Sequence, residues 1–265
     1  MPRATLGIII LCRNARGGTT TMSSIFLINV LDVARALGIK PTMATPEAVA
    51  AWTVKEYLTR SGGSFNYDPS IAATFDLFRG AHTFESSVLY CLTHGNPKGR
   101  RQNVEAIKSV ARYALANVST CYRIGHTAVV VGRISGQTVY IGIKAPMVRV
   151  VHDEAFVVMP GYRMTYRPAE PEIDVACSIA LATFGRDDFS SADFEYLCSG
   201  PDLSGRRSFK AIRGRDRRVY DRDAVDALVD TYVRGLALVL EAGIAPTKPD
   251  LRGYRIIDPS QPGFL

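Results

Sequence analysis

The spacing of apolar residues separates helical segments from strand segments along this chain. Apolar side chains three or four residues apart form one face of a helix, and this pattern recurs many times. The predicted helices lie at about 24–37, 46–60, 69–79, 83–94, 102–117, 175–184, 191–198 and 223–242. The last has the most regular apolar stripe, and Gly243 follows it in the position typical of a helix end.

Residues 119–164 have a different pattern, with dense β-branched and aromatic residues interrupted by turn residues. Strands are predicted at 127–134, 138–143, 147–151 and 155–159, joined by hairpins at 135–137 and 152–154. We therefore expect an α+β fold. An antiparallel sheet over about 119–164, for which 208–220 is a candidate extension, would be packed by helices. An N-terminal helical hairpin would accompany it.

Glycine-rich, proline-rich and polar stretches divide the chain into segments. Residues 13–21 are polar, 61–64 read Ser-Gly-Gly-Ser, and several prolines follow the last helix. The predicted organisation is a flexible or strand-like N-terminal extension at 1–21, a helical hairpin module at 22–62, a main α+β domain at 63–243 and an extended C-terminal tail at 244–265.

Composition bounds the function classes. The 265 residues are 47% hydrophobic and 22% charged, which is ordinary for a globular chain. The five cysteines are scattered without a C-x-x-C pair, which predicts a reducing, cytoplasmic location. Because no apolar run approaches the ~20 residues that span a bilayer, we expect no membrane partner. The sequence leaves the oligomeric state open.

The net charge of +7 favours a polyanionic partner, either DNA or RNA. Eight basic residues within 206–222 face only Asp216 and Asp221. They are Arg206, Arg207, Lys210, Arg213, Arg215, Arg217, Arg218 and Arg222. Since the arginine fork suits phosphate, the first seven are predicted nucleic-acid contacts. The alternative is that they are solvated or pair with carboxylates elsewhere.

A second basic patch precedes a predicted helix. It contains Lys98, Arg100 and Arg101, and Lys108 and Arg112 follow within the helix. A helix N-terminus adds backbone donors for phosphate, so the first three are also predicted nucleic-acid contacts.

The helical pair at 24–60 resembles a helix-turn-helix, because Ala34 is followed four residues later by Gly38 at a turn. The second helix begins with Glu47 and alanines, which are poor readers of base edges. An ordinary helical hairpin packed on the core is the favoured interpretation.

His126 begins an apolar strand after Gly125. This segment resembles the histidine strand of papain-like cysteine hydrolases. That resemblance implies a general base, with Cys91 as the upstream nucleophile and Asp153 or Glu154 as the orienting acid. Against it, Cys91 falls late in its predicted helix, where the helix dipole does not activate a thiol. A histidine with a structural hydrogen bond is the simpler alternative.

The sequence predicts neither a metal site nor a cofactor. Cys91 and His94 are three residues apart, but zinc sites draw on tighter paired spacings. Neither a phosphate-binding loop nor a dinucleotide fingerprint occurs. Nucleic-acid binding is the first hypothesis, and a cysteine hydrolase or a protein-interaction module are the alternatives. Whether the chain is an enzyme stays open at this point.

Overall fold

The computed structural model describes residues 24–59, 65–144, 146–244 and 247–259. The predicted N-terminal extension, the Ser-Gly-Gly-Ser boundary and the end of the predicted tail lie outside these ranges. The described chain has the expected α+β architecture, with two mixed sheets packed by helices. None of its helices is both long enough and apolar enough to cross a bilayer.

Seven α-helices account for most of the predicted helical segments. They are α1 (Val30–Leu37), α2 (Pro46–Trp52), α3 (Asp68–Phe78), α4 (Phe84–Thr93), α5 (Arg100–Ala116), α6 (Glu170–Phe184) and α7 (Arg222–Glu241). Side-chain caps define several starts. Thr45 accepts a hydrogen bond from the backbone N–H of Ala48 at 3.3 Å, and Asp221 caps α7 in the same way.

Nine strands within the described ranges form the two sheets. They are β1 (Leu27–Asn29), β2 (Thr120–Arg123), β3 (Thr127–Ile134), β4 (Gln137–Ile143), β5 (Met147–Val151), β6 (Glu154–Gly161), β7 (Asp193–Pro201), β8 (Arg207–Arg213) and β9 (Arg255–Ile257). One sheet has the order β1-β4-β3-β9, and the other has the order β2-β5-β6-β7-β8.

The strands within 119–164 do not form one antiparallel sheet. The β3–β4 hairpin belongs to the four-stranded sheet, whereas β2, β5 and β6 belong to the five-stranded sheet. Pro146, which has no N–H to donate to a ladder, lies where the chain passes between them. Both sheets are mixed, because β1 pairs with β4, β9 with β3 and β7 with β6 in parallel.

The helix predicted at 191–198 is wrong, because this segment lies within β7 at the interior of the five-stranded sheet. Residues from Phe194 to Gly200 are all buried. A strand buried on both faces has a continuous apolar run, which periodicity alone does not distinguish from a buried helix. Its partner β8 extends the sheet at one edge, as expected for 208–220. The hairpin predicted around Gly214 is instead a short 3-10 turn.

The first helix begins later than predicted. Residues 27–29 pair with β4 as a parallel strand, and α1 starts only at Val30. Asn29 caps it, since its side-chain oxygen accepts a hydrogen bond from the N–H of Leu31 at 3.0 Å. Tertiary pairing has therefore overridden the helical spacing of residues 24–29.

Two apolar clusters cover opposite faces of the five-stranded sheet. Phe156 and Val158 of β6 pack with α3, α4 and α5, whereas Val157 and Met159 contribute to the larger cluster with α1, α6 and α7. This alternation follows from the two-residue period of a strand. The helical layer α3–α5 and the β2–β3 turn together form the walls of a cleft.

Candidate functional site: a cleft and its basic lip

We call residues 206–222 the Arg-rich segment. Its half-buried arginines, Arg207, Arg213 and Arg217, are engaged by internal partners. Arg207 donates to the backbone carbonyls of Tyr162 and Ser199, at 3.0 and 2.5 Å. Arg213 Nε lies 3.3 Å from Glu195 Oε1, and that carboxylate is fully buried. These guanidinium groups hold sheet and helices together.

Arg217 is the most strongly engaged of the cluster. It donates Nε and Nη2 to both oxygens of Asp174 at 2.9 Å, and Nη1 to Glu170 at 2.5 Å. The hydrogen bonds to Asp174, followed by those to Glu170, raise the pKa of the Arg217 guanidinium above its usual value. This geometry matches the bidentate arginine–carboxylate pair. Arg217 therefore anchors the start of α6.

The exposed members of the segment are Arg206, Lys210, Arg215, Arg218 and Arg222, of which Arg222 pairs with Asp226. Arg215 reaches Glu154 at 3.3 Å, and the Arg218 guanidinium lies 4.9 Å from the centre of the Tyr220 ring. Side chains alternate between the two faces of β8, so Lys210 lies on the face opposite to that of Phe209. The segment does not present its charges on a single face.

The patch at 98–101 is positioned differently. Lys98 and Arg101 are exposed, and no ion pair holds either of them within the described ranges. Arg100 is half-buried and donates Nη2 to the carbonyl of Thr93 at 3.3 Å. This bond ties the patch to the end of α4, close in sequence to His94 and Gly95, which line the cleft. We refer to residues 98–101 as the basic lip.

The cleft has a volume of about 480 Å³. Helix α3 provides its floor through Asp68, Ile71 and Phe75. The end of α4 provides one wall through Tyr90 and His94, and the β2–β3 segment provides the other through Arg123, Gly125 and His126. Its size is within the range of small-molecule sites, and a few polar groups converge on an apolar floor.

Two guanidinium groups flank the aromatic ring at the floor. The Arg123 guanidinium carbon lies 4.4 Å from the centre of the Phe75 ring, and that of Arg79 lies 5.5 Å from it. Arg123 also reaches Asp76 at 3.8 Å, in a pair in which the arginine side chain remains 53% exposed. Because Phe75 is only 5% exposed, its ring is covered by these groups, and they place two cations beside the cleft.

Each histidine of the cleft has one ring nitrogen near an oxygen atom. His94 stacks on Tyr90 with ring centres 3.9 Å apart, and its Nδ1 lies 3.0 Å from the Tyr90 carbonyl oxygen. A carbonyl only accepts, so we assign the Nδ1–H tautomer and leave Nε2 with the lone pair. His126 Nε2 lies 3.9 Å from Asp68 Oδ1, which is ion-pair distance.

The proposed cysteine–histidine–aspartate set is not brought together in the cleft. Cys91 is fully buried in the apolar cluster under α4, and this burial raises the pKa of its thiol to about 12. Asp153 occupies the exposed turn between β5 and β6. The cleft residue Arg123 pairs with Met147 at the other end of β5, so Asp153 lies away from the cleft. Only His126 of the three lines the cleft.

Sequence reasoning identified His126 and the 98–101 patch but missed the rest of the cleft. Asp68, Phe75 and Arg123 come from separate elements and have no common spacing in the sequence. His94 was considered only as a metal partner of Cys91, and the described residues contain no grouping of three or more metal-ligating side chains. No local pattern could have assembled this set.

Comparison with known proteins adds no functional assignment. No family model matches the chain, and no curated protein matches it. One solved structure, titled "Crystal structure of SSO0001", shares 11% identity with a TM-score of 0.26, covering 69% of this chain and 83% of that one.

Proposed function

We propose that this chain binds single-stranded nucleic acid, with one base in the cleft and the neighbouring phosphates on its basic lip. The observation that carries the proposal is a cleft lined by aromatic rings and Arg123, with the exposed cations Lys98 and Arg101 following the wall residue Gly95 in the chain. Stacking platforms next to basic grooves are how proteins bind single strands without reading their sequence.

The interior of the cleft suits a base better than a duplex. Tyr90 is only partly buried and stacks on His94, and a base added to this stack would contribute about 1–3 kcal/mol. The Arg123 guanidinium, held over Phe75, supplies a planar fork for a phosphate next to the stacked base. A double helix is too wide to enter a cleft of about 480 Å³.

The Arg-rich segment has a smaller part in this proposal than its charge suggests. Arg207, Arg213 and Arg217 have internal partners, so their removal would affect stability before binding. The exposed residues Arg206, Lys210, Arg215 and Arg218 remain as secondary phosphate contacts. We do not propose a hydrolase based on Cys91, because its thiol is buried and burial raises its pKa, which disfavours the nucleophilic thiolate.

Fluorescence anisotropy with a labelled single-stranded oligonucleotide tests the proposal. We expect Arg123→Ala and the double variant Lys98→Ala/Arg101→Ala each to weaken binding about tenfold, which corresponds to about 1.4 kcal/mol. Binding by the unaltered chain should fall steeply as salt rises, because phosphate contacts release counterions.

Arg133→Ala is the matched control. Arg133 is exposed near the hairpin end of β3, six residues beyond Thr127 and thus about 20 Å along the strand from the cleft. Arg133→Ala removes the same charge as Arg123→Ala, so a general electrostatic effect would weaken binding equally in these two variants. Equal effects, or binding that does not respond to salt, would overturn the assignment of the cleft.

A further inference from the structure

We infer that the cleft also cleaves RNA, with His94 as general base, His126 as general acid and Arg123 as the group that stabilises charge on the phosphate. This inference rests on the proposed function, because it requires a nucleotide in the same cleft. It goes further in naming ribonucleic acid as the substrate and phosphodiester transfer as the reaction.

The placement of the two histidines carries the inference. His94 ends the wall formed by α4, His126 belongs to the wall formed by the β2–β3 segment, and α3 separates the two walls as the floor. A nucleotide on the floor would have one imidazole on each side. In-line displacement at phosphorus needs this arrangement, because the entering and leaving oxygens lie on opposite sides.

Each ring has one nitrogen near a protein oxygen, at hydrogen-bond distance in His94 and at ion-pair distance in His126, which leaves the other nitrogen for proton exchange. The Tyr90 carbonyl holds Nδ1–H of His94, so Nε2 carries the lone pair that a general base needs. The Asp68 carboxylate lies beside Nε2 of His126, which leaves Nδ1 as the nitrogen that delivers a proton. Asp68 is a positioning residue that acts on His126 through its charge, since the two groups lie at ion-pair distance.

The reaction balances without an added reactant. His94 Nε2 takes the proton of the ribose 2′-hydroxyl, and the 2′ oxygen forms a bond to phosphorus. The bond between phosphorus and the 5′ oxygen breaks, and His126 gives its proton to that oxygen. The products are a 2′,3′-cyclic phosphate and a free 5′-hydroxyl. Arg123 would stabilise the negative charge that develops on the other phosphate oxygens.

The substrate for the test is a DNA oligonucleotide that contains a single ribonucleotide, with the all-DNA oligonucleotide as its comparison. We expect cleavage on the 3′ side of the ribonucleotide and none of the all-DNA strand, with the cyclic phosphate identified by mass spectrometry. His94→Ala and His126→Ala should each lower the rate at least about 100-fold, the usual contribution of a positioned acid or base.

His152→Ala, purified in the same way, controls for contaminating nucleases. His152 is exposed in the β5–β6 turn and does not line the cleft, so this variant should cleave at the rate of the unaltered chain. Asp68→Asn should lower the rate and move the alkaline limb of the pH–rate profile, because that limb reports the general acid His126, which Asp68 faces. A purely structural role would leave the profile in place. Cleavage that persists in His94→Ala or His126→Ala would overturn the inference.

The experiment distinguishes failure of the binding proposal from failure of the cleavage inference. Binding is measured with the all-DNA strand, which lacks the 2′-hydroxyl and stays intact. If the unaltered chain binds it but leaves the ribonucleotide strand uncut, the inference is wrong and the proposed binding function stands. If the chain binds neither strand, the proposed function itself is wrong.

Discussion

Arg149 and Glu195 form a fully buried ion pair that crosses the five-stranded sheet. Arg149 of β5 donates Nε and Nη2 to the two oxygens of Glu195 of β7, at 2.8 and 2.7 Å, across the intervening strand β6. Tyr113 of α5 donates its hydroxyl to the same carboxylate at 2.5 Å. One carboxylate thus joins three strands to the helical layer that carries the cleft.

Replacing Glu195 with Gln should destabilise the protein strongly. Removing one partner of a buried pair leaves an uncompensated charge, which typically costs about 3–5 kcal/mol. We expect a loss of that size in the free energy of unfolding measured in urea. Glu154→Gln is the control, since it breaks only the exposed pair with Arg215 and should change stability by less than about 1 kcal/mol. Similar losses in both variants would contradict the account.

Two neighbouring arginines should differ sharply in their contribution to stability. Arg217→Ala removes three hydrogen bonds to carboxylates at the start of α6, so we expect a loss of about 1–2 kcal/mol in urea unfolding. Arg218→Ala removes an exposed side chain that lies over Tyr220 and should cost less than about 0.5 kcal/mol. The reverse order would show that the Arg-rich segment is not tied down as described.

Thiol labelling should rank the described cysteines by burial. Burial raises the pKa of all four thiols, but Cys91, Cys177 and Cys198 are buried whereas Cys121 is only half-buried and therefore the most accessible. In the native protein Cys121 should therefore react first with a maleimide, followed at peptide level by mass spectrometry. In urea all four should label. Native labelling of Cys91 at a rate matching Cys121 would show that the α4 cluster opens.

A single methyl group at Gly235 should disrupt the packing of α2 against α7. A Cβ at this position would lie 2.5 Å from Val49 Cγ1 and 2.8 Å from the Pro46 carbonyl oxygen. Alanine normally favours a helix over glycine by about 1 kcal/mol, but overpacking costs about 1–3 kcal/mol. We expect Gly235→Ala to lower the melting temperature. Adding Val49→Ala should recover part of the loss, and an additive effect of the two changes would argue against the clash.

Local patterns were sufficient for elements whose apolar faces are continuous along the chain. Helices α5 and α7 and the strands β3 to β6 lie close to their predicted ranges. The two helices bury one face and expose the other, and turn residues between the strands mark where each strand ends. The same logic was wrong for residues 193–201, which are buried on both faces, and for residues 27–29, whose partner is more than a hundred residues away in β4.

The candidate site shows the same division. His126 and the cations at 98–101 are identifiable from the sequence because residue type alone suggests their chemistry. Their relation to Asp68, Phe75 and Arg123 depends on how α3 packs against α4 and β2, and sequence spacing does not encode that packing.

The sequence by itself determined the fold class, most helices and the strand-rich centre, because these follow from local periodicity and turn chemistry. Only the tertiary structure decided which strands share a sheet and which arginines are occupied by carboxylates. Strand pairing and ion pairing join residues that are distant in sequence, and their energies depend on burial that no local pattern specifies. For that reason two arginines of the densest positive run, Arg213 and Arg217, form ion pairs with internal carboxylates, and the cleft lies elsewhere.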